Sequence, residues 1–340
     1  MRYIQAINQT LHSSMEADPR VYVIGEDLLD PYGGAFKATQ GLSTRWPDRV
    51  LTTPISEAAI IGISGGMAVA GLIPVAEIMF GDFLTLCFDQ LVNQISKFES
   101  MYNGKVTCPI VIRTPMGGGR GYGPTHSQCL EKFILGIPNI KVIAPSHGHD
   151  VQEILDWCIF KEPRPLVFIE HKSLYPLELL PVDSGKVDNF VTKIHGYPYP
   201  TIIFSIPNSD KPDITLITYG GTLPNALLVS WNLFMEEEII CEIVVPCDLS
   251  GFVIEPIAES VLRTGRVAIL EEGTLTAGWG AEVAARIQEE IWSFLKGPVI
   301  RIGSPDDCIP SSKFMETQFI PSATTIFNRI MTALRNTLCT

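Results

Sequence analysis

Thr53-Pro54-Ile55-Ser56-Glu57 runs straight into Ala58-Ala59-Ile60-Ile61-Gly62-Ile63-Ser64-Gly65-Gly66-Met67. One carboxylate stands at the mouth of a long apolar, small-residue segment. Burial in such a place raises a carboxyl pKa, because desolvation disfavours the charged form. A carboxyl held this way can share a proton with a buried base. The same stretch also reads as an ordinary helix start. Ser56 would be the N-cap, and Glu57 a first-turn acid favoured by the helix dipole. Spacing alone leaves both readings open.

No charged residue occurs from 58 to 76. A membrane span would need an uninterrupted run and a basic flank. Here glycines, Ser64 and Pro74 interrupt the run, and Glu57 and Glu77 bracket it. A buried helix stopped at Gly71, followed by a buried strand, is predicted instead. Gly62 and Gly66 lie one turn apart on one helical face, which lets another backbone approach and predicts tight helix packing.

Outward from this segment, short β-rich apolar runs alternate with helical patterns, the mark of a parallel sheet with helices on both faces. Strands are predicted at 21–24, 50–52, 74–79, 110–113, 141–144 and 166–170. Helices are predicted at 3–17, 57–70, 83–101 and 150–160. Prolines then punctuate residues 176–212, which read as a linker with a hairpin near 199–206. The alternation resumes with strands at 214–219, 239–245, 267–270 and 299–302, and helices at 224–237, 256–263, 281–294 and 323–335. The expected fold is α/β: a first domain over 1–175, a linker over 176–212 and a smaller α/β domain over 213–340.

The 340 residues carry 25 basic against 37 acidic side chains, a net charge of −12. That argues against non-specific nucleic-acid binding and against an anionic membrane surface. Eight cysteines are scattered with no CxxC pair, and no histidine cluster completes a zinc pattern. A reduced, cytoplasmic setting fits such usage. The N-terminal stretch lacks the apolar core of a signal peptide and reads as an amphipathic helix.

Glu57, Gly62, Ile63, Gly66 and Met67 have the spacing of the cofactor-activating motif of thiamine diphosphate enzymes. Pro54-Ile55-Ser56-Glu57 is followed in order by Glu77-Ile78-Met79-Phe80-Gly81-Asp82-Phe83, Phe88-Asp89-Gln90 and His126-Ser127-Gln128. Together these blocks resemble the β subunit of the decarboxylating component of 2-oxo acid dehydrogenase complexes, within the transketolase-like family. The resemblance spans nearly the whole chain and is strongest over residues 20–175. It implies a pyrimidine-binding domain followed by a transketolase C-terminal-like domain.

The resemblance also implies roles. Glu57 would contact the pyrimidine ring nitrogen and activate the cofactor by proton sharing. Phe83 would stack on the aminopyrimidine; read without the resemblance, it is rather an ordinary core residue beside Phe80 and Phe88. Gly117-Gly118-Gly119-Arg120-Gly121-Tyr122-Gly123-Pro124-Thr125-His126 is neither a Walker loop nor a dinucleotide fingerprint. His126, at its end and before an expected helix, matches the family's active-site histidine facing substrate and lipoyl group. His147, His149 and His171 are expected at the surface or as caps.

The family's diphosphate and magnesium motif, Gly-Asp-Gly followed by Asn, is missing: Gly81-Asp82-Phe83 lacks the second glycine. A separate α subunit would therefore hold the magnesium, in an α2β2 heterotetramer. A structural potassium on the backbone carbonyls of Ile110, Cys158 and Ile159 is a further family feature. Lys161-Glu162-Pro163-Arg164 departs from that pattern. The reading is an oxidoreductase subunit that decarboxylates a 2-oxo acid, pyruvate-like or branched-chain, and reductively acylates a lipoyl domain of an acyltransferase. The rivals are a half-transketolase without a lipoyl partner and a non-catalytic scaffold that retains the fold.

Overall fold

The computed structural model describes residues 1–208 and 211–338. Ser209, Asp210, Cys339 and Thr340, which fall inside the expected linker and second domain, lie outside the described residues. Two compact units form. The first comprises Met1–Met116, Phe133–Ala144 and Asp150–Leu179; the second comprises Gly117–Lys132, Pro145–His149 and Leu180–Thr340.

In the first unit the elements run α1 (Tyr3–Ala17), β1 (Val21–Gly25), α2 (Leu42–Arg45), β2 (Val50–Thr52), α3 (Glu57–Val69), β3 (Ile73–Glu77), α4 (Phe98–Met101), β4 (Val111–Met116), β5 (Lys141–Ile143), α5 (Val151–Phe160) and β6 (Leu166–His171). The six strands lie in the order β2-β1-β3-β4-β6-β5, all parallel. Strands covered on both faces must be apolar throughout, and β4, β5 and β6 are buried at every position. α1 turns Tyr3, Ala6, Ile7 and Leu11 inward. α5 begins where the Asp150 carboxylate accepts the Glu153 N–H at 3.0 Å, a side-chain cap.

The uncharged run after Glu57 is α3, a turn and β3. Gly71 takes a left-handed φ of 86°, and the N–H groups of Gly71 and Leu72 return to the carbonyls of Ala68 and Met67. A residue with a Cβ is strained there. Among the described residues no helix is long and apolar enough to cross a membrane.

Two expectations differ. The helix predicted over 83–101 is broken into a 3-10 turn at Gly81–Cys87, a π segment at Gln90–Ile95 and the short α4. The Asp89 carboxylate accepts from both Asn93 and Gln94, at 2.8 and 3.0 Å, which ties the wider π spacing. Ser56 makes no side-chain cap bond to α3.

The second unit contains β7 (Lys186–Val187), β8 (Phe190–His195), β9 (Thr201–Ser205), β10 (Ile214–Ile217), α6 (Leu223–Glu237), β11 (Cys241–Pro246), α7 (Glu255–Thr264), β12 (Val267–Thr274), α8 (Trp279–Ile291), β13 (Ile300–Ser304), α9 (Lys313–Phe319) and α10 (Ala323–Leu338). Its sheet has the order β13-β12-β10-β11-β9-β8-β7. The four strands β13, β12, β10 and β11 are parallel, and β9, β8 and β7 add antiparallel pairs. Part of the stretch read as linker is thus sheet. Phe190, Ile202 and Phe204 explain why: they enter the same core as Leu216, Val229 and Ile326. The hairpin expected near 199–206 coincides with β9 alone; its partner β8 and the short β7 lie before it, among prolines that interrupt the pattern.

Candidate active site

In the first unit, strand ends bring three carboxylates to one rim. Glu26 follows the last residue of β1, Glu57 opens α3, and Glu77 ends β3. The carboxyl ends of parallel strands are where α/β sheets place ligands. Glu57 is 5% exposed and forms no hydrogen bond or ion pair among the described residues. Glu26 is buried beside it, and its Oε1 has no hydrogen-bond partner. Burial, then the charges of Glu57, Asp27 and Glu77, raise the Glu26 carboxyl above its usual range. Native buried carboxyl oxygens normally have partners. Glu26 Oε1 is an exception to that rule, and it lies at the strand-end rim beside Glu57.

Gly25 permits this crowding: a Cβ there would meet the Glu77 carbonyl oxygen at 2.7 Å. The 3-10 turn carrying Phe83 packs on α3. Phe83 is half-buried, and its ring meets Phe80 edge-on at 6.0 Å. Cys87, on the same turn, is pushed up to about 12 by burial and then by the Glu57 charge. Glu57 and Phe83 are therefore brought to neighbouring elements.

Behind the rim lies a buried network that sequence reasoning missed. Arg113 is fully buried and donates to Glu170 twice, at 2.6 and 2.9 Å, and to Glu77 at 2.9 Å. Tyr175 donates its hydroxyl to Glu170 at 2.7 Å. The Ala35 N–H donates to the other oxygen of Glu77 at 3.0 Å. The strand register pairs Glu77 directly with Arg113. Burial alone would lower the Arg113 pKa, but the two carboxylates outweigh it and keep the guanidinium charged. Burial raises Glu77 despite Arg113. An alternating acid–base–acid row across adjacent strands has no linear spacing to betray it. The one available signal was charge inside otherwise apolar strands.

His126 belongs to the second unit. The loop before it is held there by two carboxylates: Gly118 N–H donates to Glu272 at 2.6 Å and Gly121 N–H to Glu316 at 2.5 Å. Gly117, Gly119, Gly121 and Gly123 all have positive φ, which explains why these turns carry glycine. His126 is half-exposed, with Nδ1 2.9 Å from the Thr125 hydroxyl. The helix expected after it is absent; only a 3-10 turn at Glu131–Phe133 follows.

The other histidines correct the surface expectation. His147, His149 and His171 are all buried. Burial pushes His147 and His149 down to about 4. His149 takes the Ser146 N–H on Nδ1 at 3.0 Å and sits 3.2 Å from the Pro200 carbonyl through Nε2, which makes it a turn brace.

Ile110, Cys158 and Ile159 are buried in the first unit. The Ile110 carbonyl accepts the Leu166 N–H at 2.9 Å. The buried Glu162 carboxylate carries the chain's own Arg164 guanidinium at 2.7 Å.

Residues 1–178 match the family described as transketolase, pyrimidine binding domain, and residues 206–326 match transketolase, C-terminal domain. The chain is 34% identical over 330 residues to the acetoin:2,6-dichlorophenolindophenol oxidoreductase subunit beta of Cupriavidus necator, covering 94% of each. It is 34% identical over 333 residues to the 3-methyl-2-oxobutanoate dehydrogenase subunit beta of Mycobacterium tuberculosis, covering 98% of this chain and 91% of the other. It is 35% identical over 343 residues to the mitochondrial 2-oxoisovalerate dehydrogenase subunit beta 2 of Arabidopsis thaliana, covering 99% and 89%. A solved split-gene transketolase, an inactive beta4 tetramer, shares the fold at a TM-score of 0.75 and 19% identity, covering 97% of both chains. The chain belongs to the transketolase-like family, with the β subunits of 2-oxo acid dehydrogenases.

Proposed function

We propose that this chain is the β subunit of a thiamine diphosphate-dependent 2-oxo acid dehydrogenase, active with an α subunit in an α2β2 heterotetramer. It decarboxylates a 2-oxo acid, pyruvate-like or branched-chain, and passes the acyl group to a lipoyl-bearing acyltransferase. The observation that carries the reading is the buried Glu57 carboxyl, with no hydrogen bond or ion pair among the described residues, beside Glu26 and its unpartnered Oε1 at the strand-end rim.

Thiamine diphosphate, when bound, supplies the electron sink for loss of carbon dioxide. Glu57 would hold its pyrimidine ring nitrogen and exchange a proton there through the carboxylate oxygen. Glu26, disfavouring its own ionised form, keeps a second negative charge away from that oxygen. Phe83 would lie against the ring and orient it, a contribution of about 1 kcal/mol. His126 would handle a proton during acyl transfer, as an imidazole can near neutral pH. Asp82 is followed by Phe83 where a diphosphate loop has its second glycine, so magnesium falls to the α subunit.

The open face of α3 supports the heterotetramer. Gly62, Ile63, Gly66 and Val69 are exposed, and a Cβ on Gly66 would meet nothing within 4 Å. Among the described residues no backbone packs against these two glycines, which leaves room for a partner's backbone. A reduced, cytoplasmic setting is proposed with it. Co-expression with a candidate α chain, followed by a 2-oxo acid screen with an artificial electron acceptor, tests the reading. Turnover that requires both chains and thiamine diphosphate is expected. A stable assembled complex inert toward every 2-oxo acid would remove it.

A further inference from the structure

The second unit contains a cavity of about 410 Å³ that the reaction above does not use. One wall is the tip of the β8–β9 hairpin, His195 to Tyr199. The other is the carboxyl end of β11, the segment behind it and the first turns of α7. The volume suits a small organic ligand, for which cavities of roughly 300–1,000 Å³ are usual.

Its chemistry is one-sided. Asp248, Glu255 and Glu259 line it, together with Tyr197, Tyr199 and Phe252, and no lysine or arginine does. Asp248 is buried and its Oδ1 accepts from Ser250 Oγ at 3.1 Å and Gly251 N–H at 2.9 Å, so it shapes the wall. Glu255 and Glu259 stand four residues apart on α7, and neither forms a hydrogen bond or ion pair among the described residues. Like charges at that spacing destabilise a helix. Arg286 packs behind one wall: it donates to the Phe252 carbonyl at 3.0 Å, lies 4.6 Å over its ring and meets Glu290 at 3.3 Å. It braces the wall without neutralising the acids. His195 Nε2 is buried and has no hydrogen-bond partner.

We propose that this cavity is a ligand site for a small organic cation, an ammonium or guanidinium head on an apolar body. The head would sit against Glu255 and Glu259, and the body among Tyr197, Tyr199 and Phe252. Aromatic rings and carboxylates both favour a cation, the rings through their negative faces. The Pro-rich stretch 195–200 thereby acquires a role: its turn carries the aromatic half of the site.

The test is calorimetric titration of the full-length chain, and of the assembled complex, with benzylammonium chloride. Benzyl alcohol is the neutral control of nearly equal shape. Saturable binding with a Kd at or below ~1 mM is expected, and at least about tenfold weaker binding of benzyl alcohol. Glu255→Gln with Glu259→Gln should weaken benzylammonium about tenfold or more. Both glutamates are exposed, so the double variant should fold, checked by its urea midpoint. Tyr197→Ala, also at an exposed position, should weaken it independently. Equal binding of alcohol and ammonium, unchanged binding by the double variant, or no saturation would each overturn the proposal. So would binding of a lysine-containing peptide without the free cation, which would make the cavity a protein-docking site.

Discussion

Glu57→Gln isolates proton sharing from shape. The side chain is 5% exposed and has no hydrogen-bond partner among the described residues, so glutamine fits the same space and breaks none of the bonds described. The change removes a first-turn acid, worth about 0.3–1 kcal/mol through the helix dipole. It also removes the charge that opposes ionisation of Glu26. The two effects oppose, so the urea midpoint should report a stability change of less than about 1 kcal/mol. Turnover should behave differently, because an amide cannot exchange the proton that a carboxyl can. General acid–base contributions of about 100- to 10,000-fold correspond to about 3–5.5 kcal/mol of barrier. The assay is 2-oxo acid-dependent reduction of an artificial acceptor by the assembled complex, with cofactor saturation verified. A second readout is the Glu26 carboxyl, which should titrate lower in the variant. A complex that folds, assembles and keeps more than about a tenth of the wild-type rate would refute the role, since that lies well above the range for a lost acid–base group.

Three further predictions follow from the geometry. His126→Ala should reduce lipoyl-domain acylation at least as much as artificial-acceptor turnover; near wild-type rates in both assays would remove His126 from the site. Arg113→Met strands Glu77 and Glu170 in the sheet, and should cost about 3–5 kcal/mol in urea unfolding; a loss under about 1 kcal/mol, the level of an exposed pair, would mean the network is not buried as described. Glu26→Gln should stabilise the fold at neutral pH. The folded carboxyl is raised above its ordinary value of 4.5, so wild-type stability falls as pH rises through 4.5 toward the folded value. Below 4.5 both states hold the proton and the advantage of glutamine vanishes; urea titrations at acidic and neutral pH that show the opposite trend would reject this account.

The sequence by itself determined the α/β class, the order of nearly all elements and the position of Glu57 at a helix start. Those features are local. Helical and strand periodicities, the Gly71 stop and the Glu57–Gly62–Gly66 spacing are written along the chain and need no distant partner. The helix predicted over 83–101 shows where local pattern fails: its apolar spacing is helical, but Asp89 side-chain bonds hold a π segment that periodicity does not separate from α. The stretch read as linker carried an expected hairpin near 199–206, where β9 lies, but β7 and β8 went unread, because prolines interrupt the pattern and their residues gain stability only in a distant core.

Only the tertiary structure decided which polar residues act together. Glu26, Glu57 and Glu77 are far apart in sequence and meet because parallel strands end at one rim. The Glu77–Arg113–Glu170–Tyr175 row depends on strand register across β3, β4 and β6. The chain path likewise decided that the glycine-rich loop with His126 is held by Glu272 and Glu316 of the second unit. Burial of His147, His149 and His171 had no linear signal, since a histidine looks the same on a surface turn and in a core. Which charges share a dielectric environment is a property of three-dimensional packing, and that is where the chemistry of this chain resides.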